Sequence, residues 1–378
     1  MRNPFEYGGV VRGTAFCNRR KEVADLARAM GNREKLFVFS ERRMGKTSLV
    51  RAALGTLRKR EWVCAYADLW PTDNEAMFVT AVAKAITESM SHTVGNALKI
   101  AQTFFGSLTP SITVSDDGRP VLQFGLAPNS RPGPVLDEVL EIPQRIARER
   151  GIGVVIVLDE FQQIFDYADD RVERKLRSII QNQRDVAYLF LGSRKHLIEQ
   201  MMVDRGRPLY RSGGHYPLGP IDEKHWQPFI RRRFTDAGKK IGGDRIHELC
   251  VMTQGHPFYT QHLCHALWER CESGREVTAN LLHAAVQTLL ERESYAYSTL
   301  WDSLTTAQRR LLRGLAGEDA DVQVFSGEFI QSHGLRAAST VQRAIATLLT
   351  RDLIDREVNS YFITDRFFRL WIQNGLMI

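Results

Sequence analysis

The apolar positions of the chain follow two rhythms. In the first half, short unbroken hydrophobic runs alternate with segments whose apolar residues recur at helical spacing, the order of a sheet covered by helices. Leu36-Phe37-Val38-Phe39, residues 62–68 (WVCAYAD), 152–160 (IGVVIVLDE) and 186–191 read as strands, the last two as buried parallel ones. A helix-compatible segment follows Gly45, and others cover 77–90, 136–149 and 171–184. Ahead of the first strand, residues 3–26 are turn-prone and then helical, with Asn18 marking the helix start and Glu22 four residues on. Residues 91–134 are less regular. Within them, two β-prone runs around Asp117-Gly118 predict a hairpin over about 108–128, inserted into the core or lying at its edge.

The second rhythm begins after Leu218-Gly219-Pro220, which punctuates the chain. From Asp222 to Glu291 the spacing is helical throughout, broken at Gly255-His256-Pro257. Helices over 306–315, 325–332 and 339–349 follow, the last opened by a capping-box pair, Ser339 and Gln342. Two short strands with a turn at Asn359-Ser360, then a helix from Asp365, close the chain. Three helices and a wing are the order of a winged helix-turn-helix. Arg336, Gln342 and Arg343 are its candidate DNA contacts, since the second helix of the motif enters the major groove. Winged helices also serve as protein-contact modules.

The turn after the first strand, SERRMGKTS over 40–48, carries the chemistry. Strand, Gly-Lys-Thr turn and helix are the parts of a phosphate-binding P-loop. A helix N-terminus offers unpaired N–H groups and a positive dipole to an anion. Gly45 lets the backbone approach, Lys46 reaches the β/γ oxygens, and Thr47 sets a hydroxyl on Mg²⁺. Arg43, Met44 and Ser48 complete the loop. The first glycine of the pattern G-x-x-x-x-G-K-[ST] is here Ser40, which lacks glycine's backbone freedom and predicts slow turnover more than lost binding.

A second acidic motif ends the run at 152–160. Asp159 holds Mg²⁺ through water and Glu160 orients the attacking water, with the two strand tips expected side by side. Ser193 and Arg194 end the run at 186–191. They fall beside the phosphates and can sense the γ-phosphate, because parallel sheets bind ligands off their C-terminal strand ends. In the leader, Val11, Arg12, Arg19 and Glu22 are positions from which it wraps a nucleotide base. The plainer alternative is a helix docked on the sheet. Arg205, Arg207 and Arg211, in the basic loop 204–212, are candidate arginine fingers for a neighbouring subunit. His262 and His265 stand three apart near Cys264, but nothing nearby completes a metal site, so they read as core or surface residues.

Composition narrows the class without naming a partner. At 378 residues the chain suits two or three domains with proper cores. No apolar run approaches the ~18 residues a membrane span requires. The start is not a secretory signal, and five scattered cysteines without CxxC spacing read as reduced thiols. A soluble cytoplasmic protein with no membrane partner is the expectation. The net charge of +7 permits an acidic partner without requiring one.

The order of these parts, with RRMGKTSL, VIVLDEFQ, the Gly192-Ser193-Arg194 strand tip, GHPFYTQHLCHALW and FITDRFFRLW, resembles the archaeal-type ATPases. These form a STAND-like branch of the AAA+ P-loop ATPases that also occurs in bacteria. The resemblance spans nearly the whole chain. It implies an α/β P-loop NTPase (AAA+-like) core with a parallel sheet over 1–218, a helical lid over 219–295 and a C-terminal winged helix over 296–378. By motif, Lys46 and Thr47 bind phosphate and Mg²⁺, Asp159 and Glu160 form the acidic pair, and Arg194 matches the family's post-strand arginine. Gly255 and Pro257 match the lid motif that touches base or ribose. The function implied is an ATP-binding, slowly hydrolysing switch that cycles between ATP and ADP with Mg²⁺, the nucleotide lying between core and lid. Two alternatives stand beside it: a DNA-binding winged-helix protein whose nucleotide only locks a conformation, and a scaffold with an inactive ATPase site that recruits a protein partner or self-associates.

Overall fold

The computed structural model describes the whole chain except residues 1, 12, 14, 15, 59–61, 92, 115–117, 119, 128–131, 319–321, 358, 359, 377 and 378. Arg12, Asp117 and Asn359 therefore lie outside the described residues. The chain divides into two compact units, one of residues 19–42 and 46–218, the other of 1–18, 43–45 and 219–378.

The first unit is a parallel sheet with helices. Its elements run α1 (Arg20–Gly31), β1 (Lys35–Phe39), α2 (Lys46–Arg58), β2 (Val63–Asp68), α3 (Glu75–Met90), α4 (Val94–Phe104), β3 (Leu108–Val114), β4 (Pro120–Leu126) and α5 (Pro132–Arg150). They continue with β5 (Val154–Asp159), a 3₁₀ segment (Phe161–Asp166), α6 (Arg171–Ile180), β6 (Val186–Gly192), α7 (Lys195–Val203) and β7 (Gly214–Pro217). The sheet order is β2-β5-β6-β1-β7, with every pairing parallel. Every residue of β5 and β6 is buried, whereas β7 is a short, mostly exposed edge strand, as its polar Gly-His-Tyr-Pro sequence requires. Among the described residues β3 and β4 pair only with each other, so the hairpin forms its own two-stranded sheet and is not an edge of the main one.

Helix starts differ from expectation in two places. Asn18 does not begin α1: Asn18 and Arg19 are both left-handed, and the helix opens at Arg20 with no side-chain cap. α14 opens after Ala337, so Ser339 lies inside its first turn and caps nothing. The capping box sits instead on α12, where Thr305 and Gln308 bond reciprocally.

The second unit holds α8 (Glu223–Thr235), α9 (Gly243–Thr253), α10 (Pro257–Arg270), α11 (Ala279–Asp302), α12 (Thr306–Gly317), α13 (Gly327–Ser332), α14 (Ala338–Thr350), β8 (Ile354–Glu357), β9 (Ser360–Ile363) and α15 (Arg366–Leu376). α12, α13, α14 and the β8–β9 wing form a winged helix. One continuous core runs from Trp226, Ile230 and Leu263 to Leu312, Val341 and Phe368. The leader belongs to it: Phe5 is buried beside Phe229 and Phe234, and Asn3 bonds the His265 carbonyl and Glu269. All five cysteines are buried and unpaired by disulfides. Among the described residues, no helix is long and apolar enough to cross a membrane, and no cluster of three or more His, Cys, Asp or Glu side chains is placed to hold a metal ion, around His262 and His265 included.

Candidate functional site

The site is built on the sheet unit, where β1 ends at Phe39 and α2 begins at Lys46. Two torsions of the intervening turn are left-handed, φ 60° at Arg43 and φ 87° at Gly45, and glycine adopts the second without strain. Lys46 is 5% exposed, and its ammonium donates to Ser40 Oγ at 3.0 Å and to the Glu41 carbonyl at 3.1 Å. Burial lowers its pKa, while the carboxylates of Glu160, Asp159 and Glu41 pull the other way. Met44 and Ser48 are buried.

Thr47 Oγ1 donates to Asp159 Oδ2 at 3.1 Å, so the two motifs meet across 112 positions of sequence. The same oxygen accepts a hydrogen bond from the phenol of Tyr66 on β2, and Asp159 Oδ1 accepts the Glu160 N–H at 2.9 Å. Burial holds the Asp159 carboxyl above the usual carboxylate range, with the Tyr66 hydrogen bond the largest opposing influence. Burial, then the neighbouring Asp159 charge, push the Tyr66 phenol up, so it stays a donor. Glu160 is left-handed at φ 51°, unusual without a glycine, and its Oε2 accepts from Ser193 Oγ at 2.6 Å and Gln162 Nε2 at 2.5 Å.

β6 lies between β1 and β5, which corrects the expectation that the two motif-bearing strand tips are neighbours. Periodicity identifies a strand but not its place in the sheet, so strand order was beyond the sequence. Ser193, just past the end of β6, is the residue that reaches Glu160, and Arg194 follows it, half-buried, at the N-cap of α7. Sequence reasoning missed Tyr66 and gave Gln162 no role. Tyr66 becomes visible only through the parallel register that sets β2 beside β5. Gln162 stands two residues after Glu160 in VIVLDEFQ.

The other expected site residues are placed as follows. Arg19 is buried and ion-paired to Glu22 at 2.8 Å within the sheet unit, while Val11 is half-buried in the helical unit. Arg207 is committed to structure: it pairs with buried Glu173 at 2.6 Å and lies 4.2 Å from the Phe165 ring centre, so it does not fit a free finger. Arg205 and Arg211 are exposed. Gly255 has a local task. Its φ is 64°, and an added Cβ would meet the Ile221 carbonyl oxygen at 2.4 Å. The Gly255 carbonyl accepts from Trp226 Nε1 at 3.1 Å, while buried His256 caps α10 and Pro257 occupies its first turn. Arg336, Gln342 and Arg343 are exposed, whereas Val341, Ala344, Ile345 and Leu348 turn the opposite face of α14 into the core.

The donor set suits a phosphate chain with a hard cation. A buried ammonium at the start of a helix fits anionic oxygens, and a hydroxyl bonded to a carboxylate supplies the oxygen ligands Mg²⁺ takes.

Sheet, P-loop turn and C-terminal winged helix together define an AAA+-like α/β P-loop fold. A family model described as a probable winged helix domain matches residues 295–374. No curated protein sequence matches the chain. Among solved structures, a Walker-type ATPase of Pyrococcus abyssi is similar at a TM-score of 0.67 and 16% identity, covering 98% of this chain and 99% of that one. The Aeropyrum pernix ORC2 protein, solved as ADPNP–ADP complexes, is similar at a TM-score of 0.55 and 13% identity over 100% and 99% of the two chains. The Aeropyrum pernix ORC1 protein in complex with DNA follows at 0.50 and 15%, over 96% and 93%.

Proposed function

We propose that the chain binds ATP and hydrolyses it slowly, acting as a nucleotide-dependent conformational switch of the STAND-like kind. The observation that carries this is the Thr47–Asp159 hydrogen bond, which joins the P-loop helix to the acidic strand beside a buried lysine. Lys46 binds phosphate oxygens, and Thr47 and Asp159 are the residues that would hold Mg²⁺. Bound there, the ion would neutralise phosphate charge. Glu160 orients the attacking water. Ser193 and Gln162 hold its Oε2 in place, and slow turnover is expected because Ser40 stands where the P-loop pattern has its first glycine. Arg194, adjoining Ser193 in the chain, is the residue through which α7 would respond.

Titration with ATP and ADP tests the reading. Lys46→Ala abolishes binding, and Glu160→Gln retains it while stalling phosphate release. Equal affinity in Lys46→Ala and wild type would remove the site assignment.

A second reading has its own observation, the three exposed polar side chains Arg336, Gln342 and Arg343 set against an apolar inner face of α14. They fit DNA contact, and the similar Aeropyrum pernix ORC1 protein was solved in complex with DNA. Affinity for duplex DNA that falls steeply with salt and weakens in Arg343→Ala supports it. Affinity indifferent to salt would leave α14 as a protein-contact or self-association face.

A further inference from the structure

Ser40 stands six residues before Lys46, where the P-loop pattern has its first glycine. The structure shows what the hydroxyl does there. Ser40 Oγ donates to the Glu41 carbonyl at 2.8 Å, which directs its acceptor side toward Lys46, and it accepts from Lys46 Nζ at 3.0 Å. Lys46 Nζ also donates to the Glu41 carbonyl at 3.1 Å. These bonds close a triangle among Ser40, Glu41 and Lys46. Ser40 is 3% exposed and Lys46 5%, so water cannot readily exchange for either partner.

A lysine ammonium has three N–H donors. With two committed to protein oxygens, one remains for a phosphate chain. A lysine that bridges the β- and γ-phosphates needs two. Glycine at position 40 would leave the carbonyl bond in place and release the second donor, because glycine has no side-chain oxygen to offer.

We propose that Ser40 is a specificity-determining residue that withholds one Lys46 donor from the phosphates and so narrows the preference for nucleoside triphosphate over diphosphate. The inference rests on the reading of this site as a nucleotide site. A triphosphate gains from the bridge and a diphosphate does not, so losing one lysine contact costs only the triphosphate. The serine thereby keeps the ADP-bound state competitive, which suits a switch that rests on its product.

The test is a calorimetric titration of ADP and of a non-hydrolysable ATP analogue, at fixed Mg²⁺, into full-length wild type, Ser40→Ala and Ser40→Gly. Wild type is expected to bind the two nucleotides within about threefold of each other. Both variants should shift the ratio toward the triphosphate by about tenfold, the low end of the worth of one hydrogen bond to a charged group. Both lack the hydroxyl, so they must move together. A shift in Ser40→Gly alone would assign the effect to backbone freedom and overturn the proposal, as would an unchanged ratio or one moved toward ADP. Lys46→Ala separates the two levels. If binding is lost in Lys46→Ala but the ratio is unmoved in Ser40→Ala, the nucleotide site stands and the role of Ser40 falls. If neither nucleotide binds wild type, both fall. Should Ser40→Ala fold poorly by circular dichroism, Ser40→Cys, whose thiol is a far weaker acceptor, carries the same expected direction.

Discussion

Ser193→Ala isolates the contact that ties β6 to the acidic motif. Ser193 Oγ donates to the Glu160 carboxylate at 2.6 Å from a side chain almost wholly buried. Hydrogen bonds to charged groups contribute about 1.5–3 kcal/mol. Glu160 is only half-buried and keeps a second donor in Gln162, so the low end of that range applies, about 1.5 kcal/mol, or roughly tenfold in rate. If Ser193 acts by holding Glu160, the variant should lose about tenfold in single-turnover hydrolysis and keep nucleotide affinity within about twofold. A cycle with Glu160→Gln should then show coupling of about 1 kcal/mol, because the two side chains act through one bond. Additive effects would refute the argument. So would a selective loss of triphosphate affinity, which would make Ser193 a direct phosphate contact instead.

Four further outcomes follow from particular contacts. Tyr66→Phe removes a donor from Asp159, so its carboxyl moves further up, and half-maximal nucleotide binding should need about three to ten times more Mg²⁺, most visibly at lower pH; an unchanged Mg²⁺ dependence would show that the phenol does not position the acid. Arg207→Ala strips the partner from buried Glu173 and should cost about 3 kcal/mol in urea unfolding. Burial already raises the Glu173 carboxyl, so the deficit should be largest at high pH and shrink as pH falls through the raised value; a variant of normal stability but lower turnover would restore the finger role. Gly255→Ala places a Cβ against the Ile221 carbonyl at a left-handed position and should destabilise the helical unit by about 2–4 kcal/mol, while a melt matching wild type would mean that the turn yields cheaply. Burial pushes His262 down to about 4, so the neutral ring stabilises the fold above its unfolded value near 6.5 and this contribution is lost as pH falls toward 4; His262→Phe should flatten melting temperature across that window, with His265, shifted the same way, supplying any slope that remains.

The architecture was legible wherever a residue's environment follows from its own sequence neighbours. β5 and β6 are buried along their whole length, so their apolar runs were unambiguous, and the turn at Gly45 announces itself because few sequences join strand and helix that way. α4 was not legible: its apolar residues sit in a stretch dominated by the hairpin's β-prone signal. β7 was hidden for a different reason, since a four-residue polar edge strand has no periodicity of its own and exists because β1 offers it a partner. Caps misled in both directions. Asn18 and Ser339 have the right chemistry one or two residues from the actual helix starts, and only the backbone path distinguishes them from Thr305. Lys46, Thr47, Asp159 and Glu160 were readable as a set, whereas their supporting shell was not. Tyr66 and Ser193 reach the acidic pair through strand order, which is a long-range property.

If the chain is the switch proposed above, that strand order gives it a physical route. Because β6 separates β1 from β5, the acidic pair speaks to the P-loop through Thr47 on one side and to β6 through Ser193 on the other. Gly192 ends β6 with no room for a side chain, since an added Cβ would lie 2.2 Å from Ile198 of α7. The strand end and the helix are therefore packed backbone to side chain, and Ser193 and Arg194 are the only residues between them. A displacement of Glu160 would act on Ser193 and reach α7 without a long loop to absorb it. Close-packed elements respond by moving as units rather than by deforming, so α7 is the element of the sheet unit in which nucleotide state should first become visible, as a change in amide exchange confined to its N-terminal turn.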